Sequence, residues 1–377
     1  GATSVTLVSW GGSDFSSSRF DMHKLFAGFA VFAVGMLGSS AVYSAGLEIA
    51  LSPSADNAGN GTIEYHLINQ SGATIHVLRW QTPVDGLTND LFSVRQNGED
   101  VAYTGPLYKR VAPRPEDFVE LKPGDSLDAK VDLSAWYDMR SGGQYEVSYA
   151  REAREVVKEV MAADRGGATG AAERFDMRRG TTVIYADSSP DVLDDDSSFR
   201  SQVGINAAST SYVSCSTTRK SQLVTARNSS VTYASNAKNY LTAGNTGSRF
   251  TWWFGSYNSS RYSSARTHFN NIYTALSSKA YTFNCSCTDS GTYAYVYPTQ
   301  PYTVYLCGAF WSAPNTGTDS RAGTLVHETS HFSVVAGTQD YAYGQTAAHN
   351  LAVSNPTKAV ANADNHEYFS ENNPARN

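Results

Sequence analysis

The chain has 377 residues, of which 41% are hydrophobic and 17% charged. That length suits two domains, and that composition supports packed cores, so wholesale disorder, collagen-like repeats and coiled coil are excluded. The net charge of -6 is uneven: residues 1–200 carry 28 acids and 18 bases (net -10), residues 201–377 carry 7 acids and 11 bases (net +4). Two chemically different pieces follow, complementary in charge but weakly so at physiological salt. The basic excess is too small for a nucleic-acid partner, and no Lys/Arg run exists.

Near the start, Met22-His23-Lys24 precedes an apolar run from Leu25 to Leu37 and the small residues Gly38-Ser39-Ser40-Ala41. A basic flank, a short apolar core and small residues make a secretory signal over residues 22–45, cut within Ala41–Ala45. The run is too short to serve as a stable membrane anchor. Residues 1–21 read as upstream or appended sequence, outside the fold. Export makes Cys215, Cys285, Cys287 and Cys307 disulfide candidates. Pairing Cys285 with Cys287 would close a strained ring. Two pairings remain open: Cys215–Cys285 with Cys287–Cys307, or the crossed one.

From Gly46 to about Ala150 the pattern has period two. LEIAL (47–51), TIEYHLI (62–68), TIHVLRW (74–80), DFVEL (117–121), SLDAKVDL (126–133) and QYEVSYA (144–150) alternate between turn clusters. Short strands at this spacing predict an all-β antiparallel sandwich. It holds no set of nucleophile, base or ligands, and His66 and His76 read as strand residues. Residues 151–165 read as a short charged helix, Gly166–Gly170 as a flexible break, and the acidic run Asp191–Asp196 as a solvated linker. From about Ala207 the pattern turns helical. Leu223, Ala226, Ala234, Ala237 and Leu241 suit one helix, and Ala265, Phe269, Ile272 and Leu276 another. The segments 281–285, 292–298 and 303–311 read as aromatic strands, which gives an α+β second domain.

The sharpest chemical signal is His327-Glu328-Thr329-Ser330-His331. A helix puts residues four apart on one face, so His327 and His331 can hold one zinc ion, with Glu328 beside them as general base. Asp319 or Ser320 can cap this helix and Gly337 can end it. A catalytic zinc needs a third protein ligand. Asp340, Glu367 and Glu371 are candidates, with His349 and His366 behind them. With Glu367 as ligand the enzyme would be gluzincin-like and of broader specificity. Without the metal the sandwich alone would suit a non-enzymatic secreted binding protein.

HETSH followed by Gly337-Thr338-Gln339-Asp340-Tyr341-Ala342-Tyr343-Gly344 resembles the aspzincin signature of the deuterolysin family of zinc endopeptidases. More narrowly, it is similar to the peptidyl-Lys metalloendopeptidases. The resemblance runs from about Ser209 to the C-terminus and includes Thr251–Tyr257, Cys285-Ser286-Cys287, Val304–Trp311 and Asn362–Phe369. It implies His327, His331 and Asp340 as ligands of one zinc ion, Glu328 as base and Tyr343 as donor to the oxyanion. It implies the pairing Cys215–Cys285 with Cys287–Cys307. It also implies cleavage before lysine, with Asp364 and Glu367 in an acidic pocket for the lysine side chain. Those two residues are three apart and share a helix face. Their distance in sequence from the metal set predicts that specificity and chemistry separate. Residues 46–205 match the family more loosely as a pro-region.

The expectation is a secreted monomeric zymogen acting on protein and peptide substrates. Its sandwich pro-domain (46–205) would inhibit an α+β zincin-like catalytic domain (206–377). An edge strand among residues 292–307 would pair with extended substrate.

Overall fold

The computed structural model describes residues 46–57, 59–157, 176–188 and 210–377. The expected signal over 22–45, the break at 166–170 and the acidic run at 191–196 lie outside the described residues. Among the described residues no helix is long and apolar enough to cross a membrane.

Alternation in the N-terminal half produces strands that bury every second side chain, as β2 does. The strands are β1 (Leu47–Pro53), β2 (Thr62–Asn69), β3 (Ile75–Leu78), β4 (Phe92–Gln96), β5 (Glu99–Asp100), β6 (Leu107–Arg110), β7 (Phe118–Leu121), β8 (Ser126–Asp132) and β9 (Gly143–Tyr149). Two more, β10 (Met177–Arg179) and β11 (Thr181–Ala186), come from the segment read as helix and linker. Four-stranded sheets run β10-β1-β2-β8 and β11-β9-β4-β5, and β3 pairs with β7. Ile63, Tyr65 and Leu67 of β2 share one buried cluster with Tyr145, Val147 and Tyr149 of β9. Gly180 lets the chain pass between the sheets: a Cβ there would lie 2.8 Å from the Ile49 carbonyl oxygen. Of the helix expected over 151–165, the described residues contain one turn, α1 (Ala153–Val156).

β6 departs from the expected sandwich. It pairs not with its neighbours in sequence but with the C-terminal half, as the outer strand of the sheet β12-β13-β15-β14-β6. The other members are β12 (Ser211–Val213), β13 (Thr282–Asn284), β14 (Thr292–Val296) and β15 (Thr303–Leu306). β6 runs antiparallel to β14, with Tyr108 opposite Tyr295 and Leu107 opposite Val296. The edge expected to receive substrate is therefore covered by the chain's own strand.

The helices are α2 (Thr217–Thr242), α3 (Ser248–Phe254), α4 (Ser259–Ser278), α5 (Gly308–Ser312), α6 (Arg321–His331), α7 (Gln345–Ser354), α8 (Pro356–Ala359) and α9 (Ala363–Glu371). α5 takes the second half of the segment read as a strand over 303–311. Leu223, Ala226, Ala234, Ala237 and Leu241 line the buried face of α2. Small alanines there let α2 lie close against α4 and α6. Side-chain oxygens of Ser216 and Asn258 cap α2 and α4, accepting from Arg219 N at 3.3 Å and Arg261 N at 3.1 Å.

Two disulfides join Cys215 to Cys285 and Cys287 to Cys307, 70 and 20 residues apart. The first ties the residue after β13 to the segment after β12, and the second ties the next loop to the end of β15. A longer closed loop removes more unfolded-state entropy, so loss of the first bridge costs about 1 kcal/mol more than loss of the second. The Cys215→Ser/Cys285→Ser pair is expected to show the lower thermal midpoint of the two double variants. Equal midpoints in calorimetry would show that loop length does not set the contribution.

Candidate active site and metal centre

Helix α6 carries the HETSH segment. Ser320 Oγ accepts from Gly323 N at 2.9 Å and caps it. Glu371 adds a second cap, taking hydrogen bonds from Ser320 N at 2.9 Å, Ser320 Oγ at 2.7 Å and Asp319 N at 3.2 Å. Gly323 is required where α6 meets α9, since a Cβ there would collide with the Glu371 carboxylate. His327, Glu328 and His331 are fully buried. The helix ends at His331, six residues before the expected Gly337. Gly337, at φ +60°, instead serves the return turn.

That turn brings Asp340 back to the histidines. Asp340 Oδ1 lies 3.2 Å from His327 Nε2, and Oδ2 lies 3.4 Å from His331 Nε2. The loop is pinned to the start of α9 by Gln339 N to Ala361 O at 2.8 Å and Ala363 N to Gln339 O at 3.0 Å. Asn362 Oδ1 accepts from Tyr341 N at 2.8 Å and Ala342 N at 3.2 Å.

His331 Nδ1 donates to Thr338 O at 2.8 Å, which leaves its Nε2 lone pair toward Asp340. His327 Nδ1 faces Asp364 Oδ1 at 2.8 Å, which does the same for its Nε2. Both Nε2 atoms and both Asp340 oxygens are buried without a hydrogen-bond partner among the described residues. Two imidazoles and a carboxylate suit zinc, whose ligand atoms at about 2.0–2.2 Å and tetrahedral angles stand about 3.3–3.5 Å apart. The three residues present fit that ion and leave a fourth position open.

Burial raises the Asp340 carboxyl, but His331 and His327 outweigh it and hold it well below the usual range. Burial pushes Glu328 up to about 8. Both of its oxygens and the Tyr343 hydroxyl are buried and unpartnered among the described residues. Burial, then Asp340, raises the Tyr343 hydroxyl, so it stays a protonated donor. The edge of Trp80 packs on its ring at 6.1 Å.

Asp364 and Glu367 project from α9 into the same buried space, and the chain fills it with its own lysine. Lys109 Nζ lies 2.6 Å from Glu367 Oε2, 3.5 Å from Asp364 Oδ1 and 3.5 Å from Asp319 Oδ1. The rings of Tyr293 and Tyr368 stand 4.9 and 5.8 Å from that nitrogen. Burial alone would lower the Lys109 pKa, but Asp364 and Glu367 raise it well above normal, so the ammonium remains charged.

The sequence reading missed Lys109 altogether, since the N-terminal half held no recognisable set. It singled out Asp319 only as a cap; in the fold Ser320 caps, and Asp319 accepts from Tyr368 Oη at 2.6 Å beside the ammonium. It also missed Asn89 and Arg151, which donate to the Asp340 carbonyl at 3.2 and 3.4 Å. No local pattern announces such long-range partners.

The separation in sequence between the metal set and Asp364 and Glu367 is not a separation in space. Asp364 touches both Lys109 and His327, and Glu367 Oε2 stands 3.4 Å from His327 Nδ1. Glu367 thus approaches the ring nitrogen opposite to the one facing Asp340, which favours Asp340 over the gluzincin-like alternative. His366 bonds His268 and Asn362 O, and His349 stacks on Trp252, so neither joins the cluster. His66 and His76 sit on exposed strand faces beside Asp128 and Glu120.

A buried helix presenting two histidines and a glutamate, with an aspartate turned back upon them, is an arrangement suited to metal-dependent hydrolysis. Residues 239–371 match the lysine-specific metallo-endopeptidase (aspzincin) family. An extracellular protease of Aeromonas hydrophila is 39% identical over 353 residues, covering 92% of this chain and 98% of that protein. A peptidyl-Lys metalloendopeptidase of Grifola frondosa is 37% identical over 337 residues, covering 85% and 87%. A solved zinc peptidase from Grifola frondosa aligns over 43% of this chain and all of its own, with 54% identity and a TM-score of 0.42. This chain belongs to the aspzincin family of lysine-specific metallo-endopeptidases. It is a metalloendopeptidase, which sets aside the non-enzymatic binding protein.

Asp340→Ala is expected to lower zinc affinity by more than the roughly 10–100-fold expected for the supporting change Asp364→Asn. Glu328→Gln should keep zinc and lose about 10²–10⁴ in kcat, the range of a lost general base. Metal analysis beside peptide hydrolysis checks both. Near-normal zinc in Asp340→Ala with loss in Glu367→Ala would move the third-ligand role to Glu367.

Proposed function

We propose that this chain is a secreted, single-zinc endopeptidase that cleaves on the amino side of lysine and is made latent by its own N-terminal half. The observation that carries the reading is Lys109: a charged ammonium, 1% exposed, among Glu367, Asp364 and Asp319 and beside the candidate metal ligand His327. A buried ammonium needs such partners, so the pocket suits a lysine side chain. Arginine is longer and planar and fits a compact tripod of carboxylates less well.

His327, His331 and Asp340 would hold the zinc, which when bound supplies Lewis acidity and activates water. Glu328 takes the proton of the attacking water and passes it to the leaving amine. The Tyr343 hydroxyl donates to the carbonyl oxygen as charge develops there. The carboxylates of Asp364, Glu367 and Asp319 fix the lysine, and with it the peptide bond before it.

Latency follows from the same contacts. β6 covers the outer edge of β14 in the antiparallel sense, and Lys109 fills the pocket. The N-terminal half, residues 46–205, acts as the pro-domain and the catalytic domain begins at about 206. Secretion is supported by the signal pattern at 22–45, by two disulfides suited to an oxidising compartment, and by the extracellular naming of the Aeromonas relative.

Breaking a buried ion pair costs about 3–5 kcal/mol, so Glu367→Gln is expected to cut kcat/KM before lysine by about 100-fold or more. Asp364→Asn should lower both lysine cleavage and zinc affinity. Mass spectrometry of a digested protein mixture scores the residue after each cut; an apolar preference there would refute the pocket. In the full chain, Lys109→Met should raise the activity of the uncleaved form. N-terminal sequencing should place the start of the active form near Asn206–Tyr212; an active enzyme beginning near Gly46 would reject latency.

A further inference from the structure

We infer a second substrate site: Tyr295 and Tyr305 form an aromatic platform that takes the side chain immediately before the lysine and favours an aromatic residue there. The inference rests on the lysine-pocket reading, because it uses β6 as a template for bound peptide.

Consecutive strand residues point to opposite faces. Lys109 enters the carboxylate pocket, and Tyr108, the residue before it, lies against the other face of the sheet. Tyr108 stands directly opposite Tyr295 in the ladder, and Tyr295 directly opposite Tyr305. Their rings stack in series: Tyr108 on Tyr295 at 4.7 Å and 28°, Tyr295 on Tyr305 at 4.6 Å and 4°. Tyr297 closes one side, its ring edge-on to Tyr295 at 6.1 Å and to Tyr305 at 5.9 Å. All four tyrosines are half-buried.

The N-terminal half supplies only the outermost ring of this stack. When β6 leaves β14, Tyr295 loses its ring partner while Tyr305 and Tyr297 still hold it flat and oriented. A peptide that adds to the same edge in the same antiparallel sense, with its lysine in the pocket, sets its preceding side chain on Tyr295. An aromatic ring there restores the stack; glycine or aspartate leaves the platform to water. The ligand class is therefore a peptide with a planar apolar side chain followed by lysine.

The test uses the full chain after activation, given peptides that differ only in the residue before a single lysine: Tyr, Phe, Leu, Gly or Asp. Stacking gains translate to about a three- to tenfold higher kcat/KM for Tyr and Phe over Gly. In Tyr295→Thr, which keeps a strand-forming residue, that ratio should fall toward one. In Tyr295→Phe, which keeps the ring, it should persist. A flat profile in the unaltered enzyme, which needs no variant to fold, would overturn the proposal. So would an aromatic preference that survives in Tyr295→Thr. Cuts that are not followed by lysine would overturn the pocket reading itself, and are told apart by the cleavage position.

Discussion

One ammonium organises the centre of this molecule. Asp364, Glu367 and Glu371 are buried along the seam between α6 and α9, with the partly exposed Asp319 beside them. Four carboxyls cannot all ionise there unaided. Burial and then Glu367 push Glu371 up to about 9, which removes one charge. Burial likewise raises Asp364, but Lys109 and then His327 reverse it and hold the carboxyl below its usual range. Such a pocket is poorly matched to an apolar side chain. On the proposed reading, recognition of lysine in a substrate and capture of Lys109 are one electrostatic problem with two solutions.

The same helix, α9, couples that pocket to the candidate metal centre. Asn362, at the start of α9, holds the loop that returns Asp340 to His327 and His331. Two residues on, Asp364 faces His327 Nδ1 at 2.8 Å, accepts from Gly344 N at 2.7 Å beside Tyr343, and faces the ammonium. A residue far from HETSH in sequence therefore contacts His327, the loop that carries Tyr343, and Lys109 together. The reach of Asp364 across all three is a consequence of burial, since each neighbour is the partner that keeps another polar atom satisfied.

What the sequence reveals follows contact range. HETSH announces itself because helical periodicity converts a spacing of four into a shared face. Asp340 is nearly as legible, since the turn at Gly337 is local and the family signature includes it. β1, β2, β8 and β9 are legible from alternation along strands of seven or eight residues. β6 is not: four residues are too few to carry a period, and its partner lies about 185 residues downstream. β10 and β11 hide behind Arg178, Arg179 and two threonines, whose polarity reads as linker until the strands find edges of existing sheets to pair with. The segment 303–311 is apolar throughout, so nothing in it marks where strand gives way to helix at Gly308.

Net charge predicts attraction between an acidic N-terminal half and a basic C-terminal half, and part of the contact obeys it. Lys358 reaches Glu155 at 3.0 Å and Glu152 at 3.1 Å. The deepest contact inverts the rule: the acidic half supplies the cation Lys109, and the basic half supplies the acids. Charges summed over a domain act through water and are screened within about 8–10 Å at physiological salt. Lys109, Asp364 and Glu367 are held at 2.6–3.5 Å and almost wholly buried, where screening has little hold. Salt should therefore weaken the Lys358 contacts long before it loosens Lys109. Ionic strength alone is therefore a poor means of separating Lys109 from these acids.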